Sequence, residues 1–256
     1  MTQPSAPPVR FSDEEVGRYA RQLVLSEIGG PGQQALKRAR VLIVGLGGVG
    51  APAALYLAAA GVGTLGLIDH DAVALSNLQR QIIFTTADAE RPKVEAGAAH
   101  LAALNPHVAV EPFVERLTPD NARRIIERFD IVLDGTDDFD TRFAVNAACV
   151  ATKTPLVSGA LGRWNGQVGV FTGQPCYQCL VPETPPDAET CARVGVVGAL
   201  AGVIGAMAAL EAIKLIAGAG QPLTSRLMLY DGLAGASRVV KIAADPACPT
   251  CGSAHA

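Results

Sequence analysis

Aromatic side chains are scarce: one Trp, four Tyr and seven Phe make up 5% of 256 residues, although 49% are apolar. A core with so few rings must be filled by Ala, Val, Leu, Ile and Gly, as in a close-packed parallel α/β protein. An excess of basic charge is also missing. The formal net charge is −3, which leaves no field for a phosphate backbone and argues against nucleic acid as a partner. Charge is missing from residues 194–210 as well, 17 residues before Glu211 and Lys214, and their Gly and Ala content predicts a buried helix, not a membrane span. Residues 1–9 lack a basic start followed by an apolar stretch. Residues 1–11 therefore read as a disordered tail, and the cytoplasm is the expected compartment. There, six cysteines argue for metal or chemistry rather than disulfides. No G-x-x-x-x-G-K-[ST] loop occurs, which excludes a P-loop ATPase.

What is present alternates. Ser12-Asp13-Glu14-Glu15 fits a capping box opening a helix, and Gly29, Gly30 and Gly32 are expected to break the pattern. A strand over 40–44, a helix over 51–60 and a strand over 64–69 form a βαβ unit. A helix over 92–104, a strand over 108–114 and a helix over 118–129 follow, the last capped by Thr118 with Pro119 in its first turn. A strand at 131–134, a helix at 139–151 and a strand at 155–158 complete the alternation. Beyond Gly159, strands at 167–172, 226–230 and 238–242 look joined without regular crossover helices. The first portion implies a parallel sheet and the later one an antiparallel extension.

Gly45, Gly47 and Gly50 make G-x-G-x-x-G between a strand and a helix. Such glycines let the backbone turn sharply and approach phosphates, and the helix start offers free N–H groups. Asp69, 24 residues after Gly45, can accept from ribose hydroxyls. Which nucleotide binds stays open on this motif. Cys176, Cys179, Cys248 and Cys251 form two C-x-x-C knuckles, able to supply four soft ligands to one tetrahedral ion. With 68 residues between the knuckles, they suit a structural clasp; two unrelated redox dithiols are the alternative. His255 is a stray candidate ligand. Cys149, in an apolar helix, reads as an inert core residue. Cys191, in the proline-rich stretch 182–192, is either an accessible nucleophile or an incidental surface thiol. Asp71, residues 76–81, Lys93 and residues 134–138 should gather where loops leave the C-terminal strand ends, a setting suited to a triphosphate with Mg²⁺.

RYARQ (18–22), GLGGVG (45–50), SNLQRQ (76–81), RPKVE (91–95), LDGTDD (133–138), PLVSGA (155–160), GQVGVF (166–171) and both cysteine pairs resemble the HesA/MoeB/ThiF adenylyltransferases. These motifs run in family order and span nearly the whole chain after the tail. The resemblance implies an α/β fold: a Rossmann-like ATP-binding sheet with helices on both faces, continued by an antiparallel C-terminal half with a four-cysteine zinc site. It also implies one adenylyltransferase domain over 12–256, with a nucleotide-binding half over 12–160 and a carrier-docking and zinc half over 161–256. Gly45, Gly47, Gly48 and Gly50 would pass close to the phosphates, and Asp69 would bind ribose. Asn77, Arg80 and Lys93 would contact phosphates, and Asp137 would coordinate Mg²⁺. Arg21 would reach into the active site of the other subunit, which makes a homodimer necessary. Cys191 matches a loop cysteine that joins the carrier covalently in the thiamine branch and is dispensable in the molybdopterin branch.

The implied reaction is ATP-dependent adenylylation of the C-terminal carboxylate of a ubiquitin-like sulfur-carrier protein ending in Gly-Gly. Pyrophosphate leaves, and the product is ready to become a thiocarboxylate for molybdopterin or thiamine-type biosynthesis. Because the chain ends after the second knuckle, without the rhodanese-like domain of longer relatives, a separate sulfur donor is expected. A carboxylate is already a nucleophile at pH 7, so no general base is required. Two other readings compete. An NAD-dependent oxidoreductase shares the Gly-rich loop and Asp69, but leaves SNLQRQ, Lys93 and the cysteine knuckles unexplained. A non-catalytic scaffold binding a ubiquitin-like partner would not need Arg21, Arg80, Lys93 and Asp137.

Overall fold

The computed structural model describes residues 10–185 and 195–252. Residues 1–9 of the expected tail, Cys191 and His255 lie outside the described residues. Helix α1 (Asp13–Leu23) opens with the expected capping box: Glu15 N–H donates to Ser12 Oγ at 3.2 Å, and Ser12 N–H to Glu15 Oε2 at 2.8 Å. The glycines that follow do not break the chain into a loop. They start helix α2 (Gly29–Arg38), where Pro31 sits in the first turn, whose N–H groups have no helical partner. Gly32 has a second reason: a Cβ there would meet Ile28 at 3.1 Å and Ala217 at 3.4 Å.

Strand β1 (Arg40–Val44), helix α3 (Gly50–Ala60) and strand β2 (Thr64–Ile68) form the first crossover unit. Helix α4 (Lys93–Leu104), strand β3 (Ala109–Phe113), helix α5 (Pro119–Ile126), strand β4 (Ile131–Asp134) and helix α6 (Phe139–Thr152) continue it. Helix α5 ends three residues before the expected boundary at Phe129, because Phe129 turns into the core beside Leu42 and Val132. Strand β5 (Leu156–Gly162) is longer than expected, since it serves two ladders. Its residues Leu156, Val157 and Ser158 pair parallel with β4, and its whole length pairs antiparallel with strand β6 (Asn165–Phe171).

Between β6 and strand β7 (Arg226–Asp231) lie a short helix α7 (Tyr177–Leu180) and a 20-residue helix α8 (Gly198–Ala217). The buried helix expected over 194–210 is thus found as part of α8, and it connects the antiparallel neighbours β6 and β7, not a parallel pair. Strand β8 (Ala236–Lys241) completes one eight-stranded sheet among the described residues, in the order β3-β2-β1-β4-β5-β6-β7-β8. Helix α8 is long and apolar enough to cross a membrane, but Ala201, Ile204, Ala208 and Ala212 are fully buried beside α3 and the sheet. One core fills the face covered by α2, α3, α4 and α8; a second fills the face under α5 and α6. Strands β1 and β4 are buried on both sides, which accounts for their unbroken Val/Ile/Leu runs.

Candidate active site

A cleft of about 270 Å³ opens at the C-terminal ends of β1, β2, β4 and β5. Its floor is the turn from β1 into α3. Gly45 has φ +82°, a conformation that side chains disfavour. A Cβ on Gly50 would fall 1.9 Å from the Gly45 carbonyl oxygen, so no other residue fits. Asp69, just past β2, braces this turn: its Oδ2 accepts from Leu46 N–H at 2.8 Å and its Oδ1 from Asp71 N–H at 2.9 Å.

One wall comes from the segment between β2 and α4. A single 3₁₀ turn (Leu75–Asn77) starts it, with Asn77 Oδ1 accepting from Ala74 N–H at 3.2 Å. Arg80 follows, its Nη1 donating to Ser76 O at 3.1 Å. The segment returns as a narrow hairpin in which Val73 N–H meets Arg91 O and Glu90 N–H meets Val73 O, each at 2.9 Å. Buried Asp88 closes the hairpin, accepting from Thr85 N–H at 2.9 Å, Thr85 Oγ1 at 2.8 Å and Arg91 Nη1 at 2.7 Å, with His100 Nε2 also at 2.7 Å. The Thr85 backbone N–H and His100 hold the Asp88 carboxyl well below the usual range. The hairpin delivers Lys93, first residue of α4, into the cleft. Burial works against the Asp71 carboxylate, yet Lys93 Nζ at 2.6 Å overrides it and lowers its pKa.

Opposite stands the loop after β4. Thr136 is tied to Asp134 through its N–H at 3.0 Å and its hydroxyl at 2.7 Å, and Asp137 is exposed at the edge of the cleft. Asp138 caps α6 by accepting from Thr141 N–H at 2.8 Å and pairs with Arg116 at 3.0 Å.

Gly45, Gly47, Gly48, Asp69, Asn77, Arg80, Lys93 and Asp137 therefore share one cleft. Gly50 lies just behind it. Arg21 does not line it: the side chain is exposed on α1, whose other face is fixed by buried Tyr19 and by Gln22 donating to Ala60 O at 3.0 Å.

Two cleft residues, Arg142 and Arg116, are not legible as site residues in the sequence, and Gln81 is legible only as part of its motif. Arg142 follows Asp140 and Thr141 in the first turn of a mostly apolar helix and reads as a solvated helix-start charge, although a buried charge requires partners. It donates to Asp134 Oδ2 at 3.2 Å, Ser158 Oγ at 3.0 Å, Gly159 O at 2.9 Å and Thr136 O. Burial disfavours its charge, but Asp134 outweighs that and raises its pKa. Arg116 lines the rim. Gln81, inside SNLQRQ, is buried with its Oε1 unpartnered among the described residues, an acceptor left for a ligand.

Away from the cleft, Cys176, Cys179, Cys248 and Cys251 have all four sulfurs within 4.8 Å of one another. The closest approaches are Cys176 to Cys248 at 3.6 Å and Cys179 to Cys251 at 3.4 Å. Sulfurs around a tetrahedral Zn²⁺ lie ~3.8 Å apart when each bond is ~2.3 Å. The set fits zinc, and two separate redox pairs do not account for it. Cys149 is buried in α6, and burial pushes its thiol up, as an inert core residue requires.

The ThiF family model matches residues 19–250. Molybdopterin-synthase adenylyltransferase of Escherichia coli (strain K12) is 46% identical over 245 residues, covering 94% of this chain and 98% of its own. Sulfur carrier protein ThiS adenylyltransferase of the same strain is 46% identical over 249 residues, covering 96% of this chain and 99% of its own. Among solved structures, that of E. coli MccB with MccA-N7isoASN superposes with a TM-score of 0.82 at 23% identity, over 93% of this chain and 75% of that one. This last likeness is one of fold.

Proposed function

The chain belongs to the ThiF family, and on that premise we propose that it is an adenylyltransferase acting with ATP on the C-terminal carboxylate of a ubiquitin-like sulfur-carrier protein. The observation that carries the reading is the convergence of a Gly-rich turn, Asp69, Arg80, Lys93 and Asp137 from four separate segments on one cleft. The carrier carboxylate attacks the α-phosphorus, the bond to the β-phosphate oxygen breaks, and pyrophosphate leaves with the electron pair. Lys93 and Arg80 neutralise charge that builds on the phosphate oxygens, and the close backbone of Gly47 and Gly48 admits them. Asp69 would bind the ribose and Asn77 the phosphates. Asp137 would hold Mg²⁺, which supplies further neutralisation. No side chain is needed as a base, because the nucleophile is already ionised.

The open face of the antiparallel strands supports a docking role for the second half. A groove lined by Gln167, Tyr230 and Arg238 shares Ala160 and Leu161 with the cleft, so a tail lying there runs towards Lys93. Arg21, exposed and not among the residues that line its own cleft, is assigned to the cleft of a second copy in a homodimer. The sulfur that converts the adenylate to a thiocarboxylate comes from a separate donor; a covalent role for Cys191 remains the alternative route for that second step.

ATP–pyrophosphate exchange tests the reading. Labelled pyrophosphate should enter ATP only when a carrier with a free Gly-Gly terminus is present. Exchange without any carrier, or none with any candidate carrier, would overturn it.

A further inference from the structure

Helix α6 connects the four-cysteine centre to the nucleotide cleft. Arg142 and Asn146 lie four residues apart on it, and therefore on one face. Asn146 is 1% exposed and uses both ends of its amide on the first cysteine knuckle. Its Nδ2 donates to Cys176 Sγ at 3.4 Å, and its Oδ1 accepts from Tyr177 N–H at 2.8 Å. The Tyr177 ring, also buried, lies under the Arg142 guanidinium at 5.8 Å and edge-on to Phe171 at 5.8 Å. One turn earlier, Arg142 grips Thr136 and Gly159, both of which line the cleft. Thr136 in turn touches Gly45: a Cβ on Gly45 would lie 3.0 Å from the Thr136 methyl.

We propose that Asn146 is a positioning residue that couples the metal centre to nucleotide binding, by fixing Cys176 and Tyr177 against α6 and so holding Arg142 in place. A hydrogen bond to a ligating sulfur orients it and tunes its affinity for the ion; loss of such a partner costs ~10–100-fold in metal binding. The same amide bonds the backbone of Tyr177, so slack at the knuckle becomes slack under Arg142. The Thr136 and Gly159 carbonyls of the cleft wall and the Asp134 carboxylate behind it share that guanidinium as a common partner. A purely local zinc site would need only the four sulfurs and no contact with the helix that walls the cleft.

Coupling is reciprocal: if the metal tightens nucleotide binding, nucleotide must tighten the metal by the same factor. This inference rests on the cleft binding ATP, and ATP titration of the wild-type zinc protein by calorimetry tests that premise separately. In the wild type, saturating MgATP should slow zinc transfer to a chromogenic chelator by about 5–10-fold, at the low end of typical site coupling. In zinc-loaded Asn146→Asp, zinc transfer should be faster, ATP binding weaker by about 10-fold, and the effect of ATP on zinc transfer gone. The variant keeps the acceptor for Tyr177 N–H but replaces the donor to sulfur with a charge, so its folded content and zinc stoichiometry are checked first. Should Asn146→Asp not fold, the wild-type transfer measurement decides. Zinc transfer unchanged by ATP in a wild type that binds ATP, or wild-type ATP affinity in the folded zinc-loaded variant, would overturn the coupling.

Discussion

Lys93 Nζ lies 2.6 Å from Asp71 Oδ2 and 3.7 Å from Asp69 Oδ2, with the lysine side chain only 6% exposed. The cation is thus desolvated and aimed before any ligand arrives. A group held this way does not reorganise during reaction, which is how preorganised charge lowers a barrier. Lys93→Met retains the aliphatic stem, and the half-exposed Asp71 can turn to water. The variant should melt close to wild type while carrier-dependent exchange falls by ~100-fold or more. Exchange near the wild-type rate would remove Lys93 from the phosphate-binding set.

Asp137 is exposed and supports no core packing, so Asp137→Ala should leave the fold intact and abolish exchange if it holds Mg²⁺. Arg21→Ala should be nearly inactive alone for a different reason. Mixing the two inactive variants should restore part of the activity, since a mixed dimer contains one cleft with both groups. No recovery after verified subunit exchange would count against an arginine acting across the dimer.

Asp88 makes stability depend on pH in a direction that can be worked out. Its folded carboxyl is depressed by the Thr85 N–H and His100, so its contribution is full above the unfolded value near 4 and is lost as pH falls below it. Asp88→Asn should destabilise by about 1–3 kcal/mol at neutral pH, because buried partners lose a charged acceptor. The gap in denaturation midpoint should start to narrow as pH falls below about 5 and keep narrowing through pH 3 and beyond, towards the strongly depressed folded value. A gap that is constant over that window would show that the charge of Asp88 is not what matters.

One zinc per chain is expected by elemental analysis. Its removal should lower the melting temperature sharply, though by less than the ~10–16 kcal/mol found for small zinc-finger peptides, because this chain has two large apolar cores. A metal-free protein of undiminished stability would refute the clasp.

Much of the molecule is written in short segments. The Ser12 capping box, the turn from Gly45 to Gly50, the paired knuckles at Cys176 and Cys248 and the buried β1 and β4 runs each depend on a few neighbouring residues. Their spacing alone announces them. Helix α2 is not legible locally, because three glycines near one another signal a break, whereas here they occupy a first turn and a close crossing with α8, facts that belong to packing. Strand β5 was cut short because the antiparallel partner that extends it follows only after the parallel alternation has ended.

Convergence is another matter. Lys93, Arg80 and Asp137 were legible as candidates, but Asp71 beside Lys93, Thr136 against Gly45, and the exclusion of Arg21 from its own cleft follow from how the parallel crossovers bring strand ends together. Arg142 and Asn146 show the reason most plainly. Neither shows its role in its own helix, since the partners are Asp134, Thr136, Ser158, Gly159, Cys176 and Tyr177 on other segments. Local sequence specifies backbone conformation because those interactions are short in range. A buried polar side chain takes its meaning from whichever donors and acceptors the tertiary fold places within 3 Å or so of it.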